Sequence, residues 1–305
     1  MAEIKAKDCS VEHHPEKHTG YARVKIALFV CLGLACVQGV GSWLSGSLAL
    51  LADTVHVLGD GVALAMSLVA GWMASRPASL RKSYGFYRLE VLAALVNGGA
   101  LIVIALGIFW EAYQRLQSPS PIVVSTMFVA ASLGLLFNLV MLKILHSARD
   151  TNMNIRGAYL HVLGDSLSSV VVVLSAVLIY FTQILWIDVL ASALVSMMIF
   201  WMAVRLLMQS THVLLEGAPT HLNLKEVETA LRTKFPEITD IHDFHVWEIT
   251  SHLFALTAHL EAVELSPKDQ NSILERLQSF ARKEYGISHT TFQIEFHAAK
   301  RSPSP

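Results

Sequence analysis

The sequence LALLADTVHVLGDGVALAMSLVAGWMA, residues 48–74, decides the fold. It predicts a helix that crosses a membrane, because spanning the hydrocarbon core takes about 20 mostly apolar residues. Within it stand His56 and Asp60, and the same pentapeptide, HVLGD, returns at 161–165 in a second long apolar stretch. An ionisable side chain at the centre of a bilayer costs roughly 2.5–3.5 kcal/mol on insertion scales, so these residues indicate a functional site.

The composition of the whole chain predicts an α-helical integral membrane protein. Of its 305 residues 53% are hydrophobic and 15% are charged, and the mean hydropathy is +0.49, too apolar for an ordinary soluble protein of this length. A net charge of -1 argues against a nucleic-acid-binding protein. Six stretches are long enough to span the lipid bilayer: 24–45, 48–74, 91–113, 122–146, 157–181 and 184–208.

Lysine and arginine residues are concentrated on one side of the predicted spans. Short loops rich in these residues stay in the cytoplasm, which predicts a cytoplasmic amino terminus and, with six spans, a cytoplasmic carboxyl terminus. Residues 1–23 form a polar tail with His and Cys and lack the features of a removable signal peptide. The cytoplasmic side has Lys5, Lys7, Lys17, Arg23, Arg76, Arg81, Lys82, Arg88, Lys143, Arg149 and Arg156, and the opposite side has Arg115.

The carboxyl-terminal third of the chain has the pattern of a small α/β domain. Residues 223–235 and 266–285 have the helical spacing of apolar residues, and 240–250, 253–263 and 290–296 alternate like strands. The order α-β-β-α-β predicts a two-layer domain with its helices on one face of a sheet.

The repeated pentapeptide supplies the ligands of a tetrahedral metal ion. His56 and Asp60 are four residues apart and so share one helix face, and His161 and Asp165 repeat that spacing. If the two helices face each other, two imidazoles and two carboxylates meet in the number that Zn²⁺ requires. Mg²⁺ and Ca²⁺ favour oxygen ligands, so the histidines disfavour both. The alternative, a private His–Asp pair within each helix, is disfavoured because the arrangement occurs twice.

Other polar and small residues in the spans have more modest predicted roles. Asp53 shares the helix face of His56, but the second copy has Ala158 in its place, which favours a gate or helper residue over a ligand. Gly59 and Gly164 are predicted to let helices pack closely. Interhelical hydrogen bonding is the role predicted for Asn97, Asn138 and Asp188.

Five segments, in order along nearly the whole chain, resemble the cation diffusion facilitator family in its zinc-transporter branch: LLADTVHVLGD (50–60), YGFYRLEVLAAL (84–95), NMNIRGAYLHVLGD (152–165), LLEGAP (214–219) and IHDFHVW (241–247). The resemblance implies a homodimeric exporter that moves zinc out of the cytoplasm in exchange for protons. The His-Asp ligand set resembles the zinc-preferring version and leaves transport of cadmium and cobalt open, and the short loop between spans four and five favours a bacterial-type protein. It implies the cytoplasmic (inner) membrane as its location and a ferredoxin- or metallochaperone-like cytoplasmic domain. The family's transport-site ligands fall on His56, Asp60, His161 and Asp165.

The resemblance also implies a second metal position, structural or regulatory, in the cytoplasmic domain. The matching residues are His242, His259, His289 and Glu295. Strand parity independently keeps the last three of these off the apolar face. His245 and Trp247 have the opposite parity to His242 and are predicted to pack structurally. Arg88 and Glu216 align roughly with a charge pair that links the two parts of relatives, although exposed loop charges are nearly as good an interpretation.

The predicted function is secondary active transport rather than enzyme catalysis. A zinc-responsive channel or sensor without proton coupling is the alternative, although a channel favours weak sites spread along a pore. An intramembrane metallohydrolase is disfavoured because the sequence has no HExxH segment. The predicted division of the chain is 1–23 for the cytoplasmic tail, 24–210 for the six spans, 211–297 for the cytoplasmic metal-binding domain and 298–305 for a disordered tail.

Overall fold

The computed structural model describes residues 17–74, 84–146, 153–250, 253–263 and 266–296. The cysteine and histidines of residues 1–16, and the predicted disordered tail, lie outside these ranges. The described residues form two compact units. The first unit contains the residues up to Trp72 together with Asn97–Val204, and the second contains Met73–Val96 and the residues from Arg205 onward. The predicted division of the chain into four segments stays a prediction.

The described residues include six long helices, each with the length and hydropathy of a membrane span. They are α1 (Lys17–Ser45), α2 (Leu48–Ala74), α3 (Arg88–Gln117), α4 (Val124–His146), α5 (Met153–Thr182) and α6 (Trp186–Leu214). The six predicted spans are therefore confirmed. Several helices extend past the predicted limits because Lys, Arg, Glu and Gln continue a helix in water as readily as apolar residues do in lipid.

The first unit buries mainly small and apolar side chains between its helices and leaves large apolar ones outside. Leu50 and Met127 are fully buried, whereas Phe29, Trp43 and Phe181 are at least 73% exposed. Exposed apolar surface of this extent marks contact with another apolar phase. The hydrocarbon of a bilayer is the phase that fits helices of this length.

Helix α2 is capped at its start by a carboxylate from α6. Asp188 accepts hydrogen bonds from the Ser47 hydroxyl at 2.5 Å and from the backbone N–H groups of Leu48 at 2.8 Å and Ala49 at 3.3 Å. The first N–H groups of a helix have no acceptor within the helix. This buried carboxylate accepts hydrogen bonds from donors that would otherwise have no acceptor inside the membrane. The interhelical role predicted for Asp188 is confirmed.

The carboxyl-terminal domain has the predicted order of elements: α7 (Leu224–Lys234), β1 (Ile238–Thr250), β2 (Leu253–Ala262), α8 (Pro267–Tyr285) and β3 (Ile287–Glu295). The sheet order is β1-β2-β3, with β1 antiparallel and β3 parallel to β2. The buried faces of both helices and of the strands form one apolar core, which includes Leu231, Leu256 and Leu277.

Local signals fix the ends of the helices in this domain. Asn223 caps α7 by accepting a hydrogen bond from the Lys225 N–H, and Ser266 caps α8 in the same way from the Asp269 N–H. Gly286 ends α8 with a φ of 70°, a conformation that glycine adopts without strain. Strand β3 begins immediately afterwards, three residues earlier than the sequence pattern predicts.

Candidate metal centre

Helices α2 and α5 bring the two copies of HVLGD together in the first unit. His56 lies within hydrogen-bonding distance of Asp165, with 2.8 Å between Nε2 and Oδ1. In the reverse direction, His161 Nε2 lies 3.3 Å from Asp60 Oδ1. Each helix therefore supplies the histidine for the other helix's aspartate. The contact between His161 and Asp165 of the same helix is longer, at 3.8 Å.

The four side chains form one cluster rather than two private pairs. One ligand atom from each of His56, Asp60 and Asp165 lies within 4.8 Å of the others. The His161 ring centroid is 6.3 Å from that of His56, and its Nε2 approaches both carboxylates. All four predicted ligands thus converge between two helices. Two carboxylates and two neutral imidazoles can bind a divalent ion tetrahedrally and cancel its charge, which matters in a medium of low dielectric.

The four side chains of the cluster are unequally exposed. We call the end of the bundle where α2 ends and α5 begins the near end, and the opposite end the far end. Asp60 and His161, toward the near end, have side chains that are 29% and 42% exposed. His56 and Asp165, toward the far end, are 9% and 11% exposed. The two ligands toward the near end are therefore the more exposed pair.

A buried carboxylate lies one helical turn farther toward the far end. Asp53 is 1% exposed. Its Oδ2 accepts hydrogen bonds from Gln38 Nε2 at 2.7 Å and from the Ser169 hydroxyl at 3.2 Å, and its Oδ1 accepts one from the Ser168 hydroxyl at 2.8 Å. Asn138 of α4 donates to the Ser169 hydroxyl at 3.2 Å. We call Asp53, Gln38, Ser168 and Ser169 the Asp53 network.

Asn97 and Asn138 form hydrogen bonds between helices, as predicted. Of the two glycines predicted to allow close packing, only Gly59 does so. Asn97 donates to the Gly59 carbonyl at 3.5 Å, and Asn138 bonds across helices as described above. A Cβ at Gly59 would lie 3.0 Å from the Leu101 side chain of α3, so close packing is confirmed there. A Cβ at Gly164 would meet no described atom within 4 Å, so the packing prediction for Gly164 is wrong for a single chain.

A second cluster lies on the open face of the sheet in the second unit. His259 Nδ1 is 2.8 Å from Glu295 Oε1, and His242 Nε2 is 3.5 Å from Glu295 Oε2. Ligand atoms of these three residues lie within 4.8 Å of one another. The register explains the grouping, because His242 pairs with His259 across β1 and β2, and Glu261 pairs with Glu295 across β2 and β3.

The structure does not bring His289 into this cluster, which corrects the four-residue set. His289 pairs with Ala255, whereas Glu295 lies six residues further along the same strand, roughly 20 Å away at the usual rise per residue. The His289 ring instead contacts Tyr84, with 6.1 Å between centroids. The alternation along the strand predicted the correct face for His289, but it gave no information on the distance between His289 and Glu295.

A bulge in β1 changes the predicted face of His245. His242 pairs with His259 and His245 pairs with Thr257, so two residues of β1 face one of β2. Asp243 within the bulge has a φ of 51°, an uncommon conformation for a residue other than glycine. His245 consequently shares the open face, where its Nε2 is 3.1 Å from Asp243 Oδ1, and it is 65% exposed. The predicted structural packing of His245 is wrong because one extra residue reverses strand parity.

A further group of ligand-type atoms, on Asp240, His242 and Glu261, is less suited to a metal. Arg232 already donates to Asp240 Oδ1 at 2.6 Å and is also 3.0 Å from Glu228. Partial burial lowers the pKa of the Arg232 guanidinium, but the hydrogen bonds to Asp240 and Glu228 outweigh it and raise the pKa above its ordinary value. A permanent cation thus neutralises Asp240.

Two polar contacts join the start of α3 to other parts of the second unit. Arg88 Nη2 is 2.8 Å from Glu216 Oε1, so the predicted charge pair forms. Both side chains are largely exposed, and exposed pairs contribute little to stability. Thr250 at the end of β1 donates to Glu90 at 2.9 Å.

Comparison with known proteins identifies matches along most of the chain. The family model described as the cation efflux transmembrane domain matches residues 24–215, and the one described as the cation efflux protein, cytoplasmic domain, matches 208–297. The zinc transporter ZitB of Escherichia coli (strain K12) is 38% identical over 285 residues, covering 93% of this chain and 90% of that protein.

Two relatives with broader names are almost as similar. The "cadmium, cobalt and zinc/H(+)-K(+) antiporter" of Bacillus subtilis (strain 168) is 36% identical over 276 residues, covering 90% of this chain and 88% of that protein. The metal cation efflux system protein CzcD of Cupriavidus metallidurans is 37% identical over 284 residues, covering 92% and 89% of the two chains.

Proposed function

Because the chain belongs to the cation efflux family of membrane transporters, we propose that it exports Zn²⁺ from the cytoplasm in exchange for protons. The chain is a multi-pass integral membrane protein and a secondary transporter rather than an enzyme. The proposal concerns the ion, the site and the coupling. Cd²⁺ and Co²⁺ are included as secondary substrates because the ligands alone select weakly among such ions.

The crossed contacts between the two HVLGD segments are the observation that carries the proposal. His56 meets Asp165 at 2.8 Å and His161 meets Asp60 at 3.3 Å, so the ligands of one site come from two helices. Metal affinity then depends on how α2 and α5 are placed, and a shift of one helix against the other would weaken the site. This dependence suits transport, where the ion must be bound in one state and released in another.

The exposure of the cluster supports loading from the cytoplasm. The near end is the end at which α1 begins, and the charge distribution in the short loops assigns that end to the cytoplasmic side. Asp60 and His161 are the more exposed ligands and lie toward it. An ion would then enter between α2 and α5 from the cytoplasm, with both termini on that side of the inner membrane.

Proton exchange follows from the chemistry of the four ligands. Imidazole and carboxylate bind metal only when deprotonated, so protons and Zn²⁺ compete for the same atoms. Histidine, whose ordinary pKa is about 6.5, changes charge across the relevant pH range. When the site opens to the outside, protonation of His56, His161 or an aspartate would expel the ion, and the protons would return with the empty carrier.

The carboxyl-terminal domain extends the proposal to a homodimer with a second zinc position. We assign that position to His242, His259 and Glu295, where two imidazoles and a carboxylate lie close enough to bind one ion. A bound ion there would tie β1, β2 and β3 together and stabilise the domain. Its role would be structural or regulatory, since it lies outside the six spans.

Zinc flux in proteoliposomes tests the proposal. We expect an imposed pH gradient to drive zinc movement, and we expect Asp60→Asn and His161→Ala to abolish it. Ser175→Ala is the matched control, because Ser175 is buried in α5 and, among the residues that the structure describes, its hydroxyl bonds only the Val172 carbonyl of its own helix. Zinc flux that ignored the pH gradient would favour the channel alternative. Flux driven by a potassium gradient alone would make K⁺, named for the Bacillus relative, the coupling ion.

A further inference from the structure

The Asp53 network occupies the side of the candidate transport site that is closed. Asp53 stands three residues before His56 on α2, and Ser168 and Ser169 stand three and four residues after Asp165 on α5. The network is therefore one helical turn from the ligands, toward the far end. Asp53 is 1% exposed and Ser169 and Gln38 are 0% exposed. Burial is therefore complete at this level of the bundle.

Three helices are joined by this one carboxylate. Gln38 comes from α1, Asp53 from α2, and Ser168 and Ser169 from α5. A carboxylate away from water requires such donors, because an unpaired charge there is very costly. Moving α2 away from α5 at the far end would break the bonds from both serines. The network therefore favours the arrangement in which the far end is closed.

Helix α4 provides the space for the network. A Cβ at Gly134 would overlap the side-chain amide of Gln38 and come within 3.9 Å of Asp53 Oδ2. Glycine at this position lets the amide reach the carboxylate. Asn138, one turn further along α4, holds the Ser169 hydroxyl from the other side at 3.2 Å. Side chains from α1, α4 and α5 thus surround Asp53.

We propose that the Asp53 network is the far-side gate of the transporter, closed in this structure by the hydrogen bonds that Asp53 accepts from α1 and α5. The inference rests on the proposed function, since it assigns a gate to a site that carries metal. Asp53 is a gating residue and not a ligand, because its two oxygens already accept hydrogen bonds from Gln38, Ser168 and Ser169.

In the transport cycle the gate would open only after the ion is bound. Separation of α2 and α5 at the far end breaks the bonds to Asp53 and creates the exit, while closure at the near end prevents return of the ion. Each hydrogen bond to a carboxylate is strong enough to shift a two-state equilibrium by about tenfold. A weakened gate would open while the near end is still open, and zinc would then pass without a coupled proton.

Two variants weaken the gate by different chemistry. Asp53→Asn keeps the shape but removes the charge and one acceptor oxygen, and the double variant Ser168→Ala/Ser169→Ala keeps the carboxylate but removes two donors. Ser175→Ala again serves as the matched control on α5. The measurements, on full-length protein in proteoliposomes, are zinc flux with and without a pH gradient, and zinc affinity of the purified protein by calorimetry.

We expect both gate variants to raise zinc flux in the absence of a pH gradient by about tenfold, with zinc affinity within about threefold of the original protein. Folded variants with unchanged uncoupled flux would overturn the proposal. A tenfold loss of affinity at unchanged uncoupled flux would also overturn it, and would make Asp53 a residue that positions the ligands. If Asp53→Asn does not fold, the serine double variant decides the matter alone.

The same measurements separate failure of the gate from failure of the proposed function. If the original protein shows no zinc flux under any gradient, the transport assignment is wrong. If it transports zinc under a pH gradient and the gate variants stay fully coupled, only the gate is wrong.

Discussion

His56 on α2 pairs with Asp165 on α5, 109 residues away, at 2.8 Å. Because both side chains are about nine-tenths buried, the contact fixes how the two helices are rotated against each other. It also means that neither copy of HVLGD holds a site by itself.

Replacing Asp165 should lower the zinc affinity of the candidate transport site by more than the loss of one negative charge alone would. Asp165→Asn removes a ligand and the buried partner of His56. Mutating a residue that only hydrogen-bonds to a metal ligand typically lowers metal affinity roughly 10- to 100-fold. Asp165 is itself a proposed ligand, so we expect zinc affinity to fall at least about tenfold. Calorimetry on the purified variant measures this. Glu111→Gln removes a carboxylate from α3 outside the cluster and should leave zinc affinity unchanged. Equal effects of the two variants would contradict the assignment.

The second zinc position should depend on His259 and not on His289. His259→Ala removes an imidazole 2.8 Å from Glu295, whereas His289 pairs with Ala255 further down the sheet. Zinc titration is best performed in an Asp60→Asn/Asp165→Asn background, so that the membrane site does not contribute. We expect one zinc equivalent to be lost with His259→Ala and retained with His289→Ala. Loss in both variants would mean that His289 reaches the ion, for example from the partner in a dimer.

Acid should weaken the ion pair between Glu237 and Arg276. A hydrogen bond from its own backbone N–H, together with the Arg276 guanidinium at 2.8 Å, holds the pKa of Glu237 below its ordinary value of 4.5. A lowered pKa stabilises the folded state above the ordinary pKa, and this stability is lost as the pH falls through the folded pKa. Arg276→Gln should therefore lower the unfolding temperature slightly at pH 7, and the difference should shrink below about pH 4.

Arg276 is half exposed, so the effect at pH 7 should be small. Arg282→Gln, which changes an exposed arginine near the end of the same helix, is the control and should show no such pH dependence. A difference between Arg276→Gln and the original protein that persisted at pH 3 would indicate lost packing rather than lost charge.

Removing the carboxylate that caps α2 should destabilise the helical bundle. Asp188→Ala leaves the Ser47 hydroxyl and two backbone N–H groups without their acceptor. Hydrogen bonds to charged groups contribute roughly 1.5–3 kcal/mol each, so we expect a loss of at least about 2 kcal/mol in the free energy of unfolding. Thermal unfolding in detergent measures it. Thr182→Ala should cost much less, because its exposed hydroxyl donates to the Leu178 carbonyl and accepts from the Ile184 N–H at 3.3 Å without any charged partner.

The sequence predicted what local spacing determines and missed what depends on helix rotation. The six spans and the order of the carboxyl-terminal elements follow from hydropathy and periodicity, and the four candidate membrane ligands were singled out by a spacing of four residues. The crossed pairing could not be predicted, because it depends on how α2 is turned toward α5. Gln38 and Ser168 were missed for the same reason: serine and glutamine in a span carry no signal until a neighbouring helix places a carboxylate beside them.

In the carboxyl-terminal domain the strand periodicity predicted on which face of the sheet a side chain lies, but not how far along the strand it lies from its neighbours. His259 and Glu295 are close because β2 and β3 are parallel and in register, and no sequence pattern specifies that register. The bulge at Asp243 reversed the parity between His242 and His245, so one irregular residue was enough to assign His245 to the wrong face.

Gly134→Ala should weaken the far-side gate without touching any group that holds the metal. The added methyl would overlap the Gln38 amide, which must then move away from Asp53 and lose its 2.7 Å hydrogen bond. We expect uncoupled zinc flux in proteoliposomes to rise by up to about tenfold, with zinc affinity unchanged. Gly107→Ala is the matched control, because a Cβ there would meet no described atom within 4 Å. Full coupling in a folded Gly134→Ala protein would show that Gln38 is not needed for closure, whereas a fall in zinc affinity would mean that α4 acts on the ligands themselves.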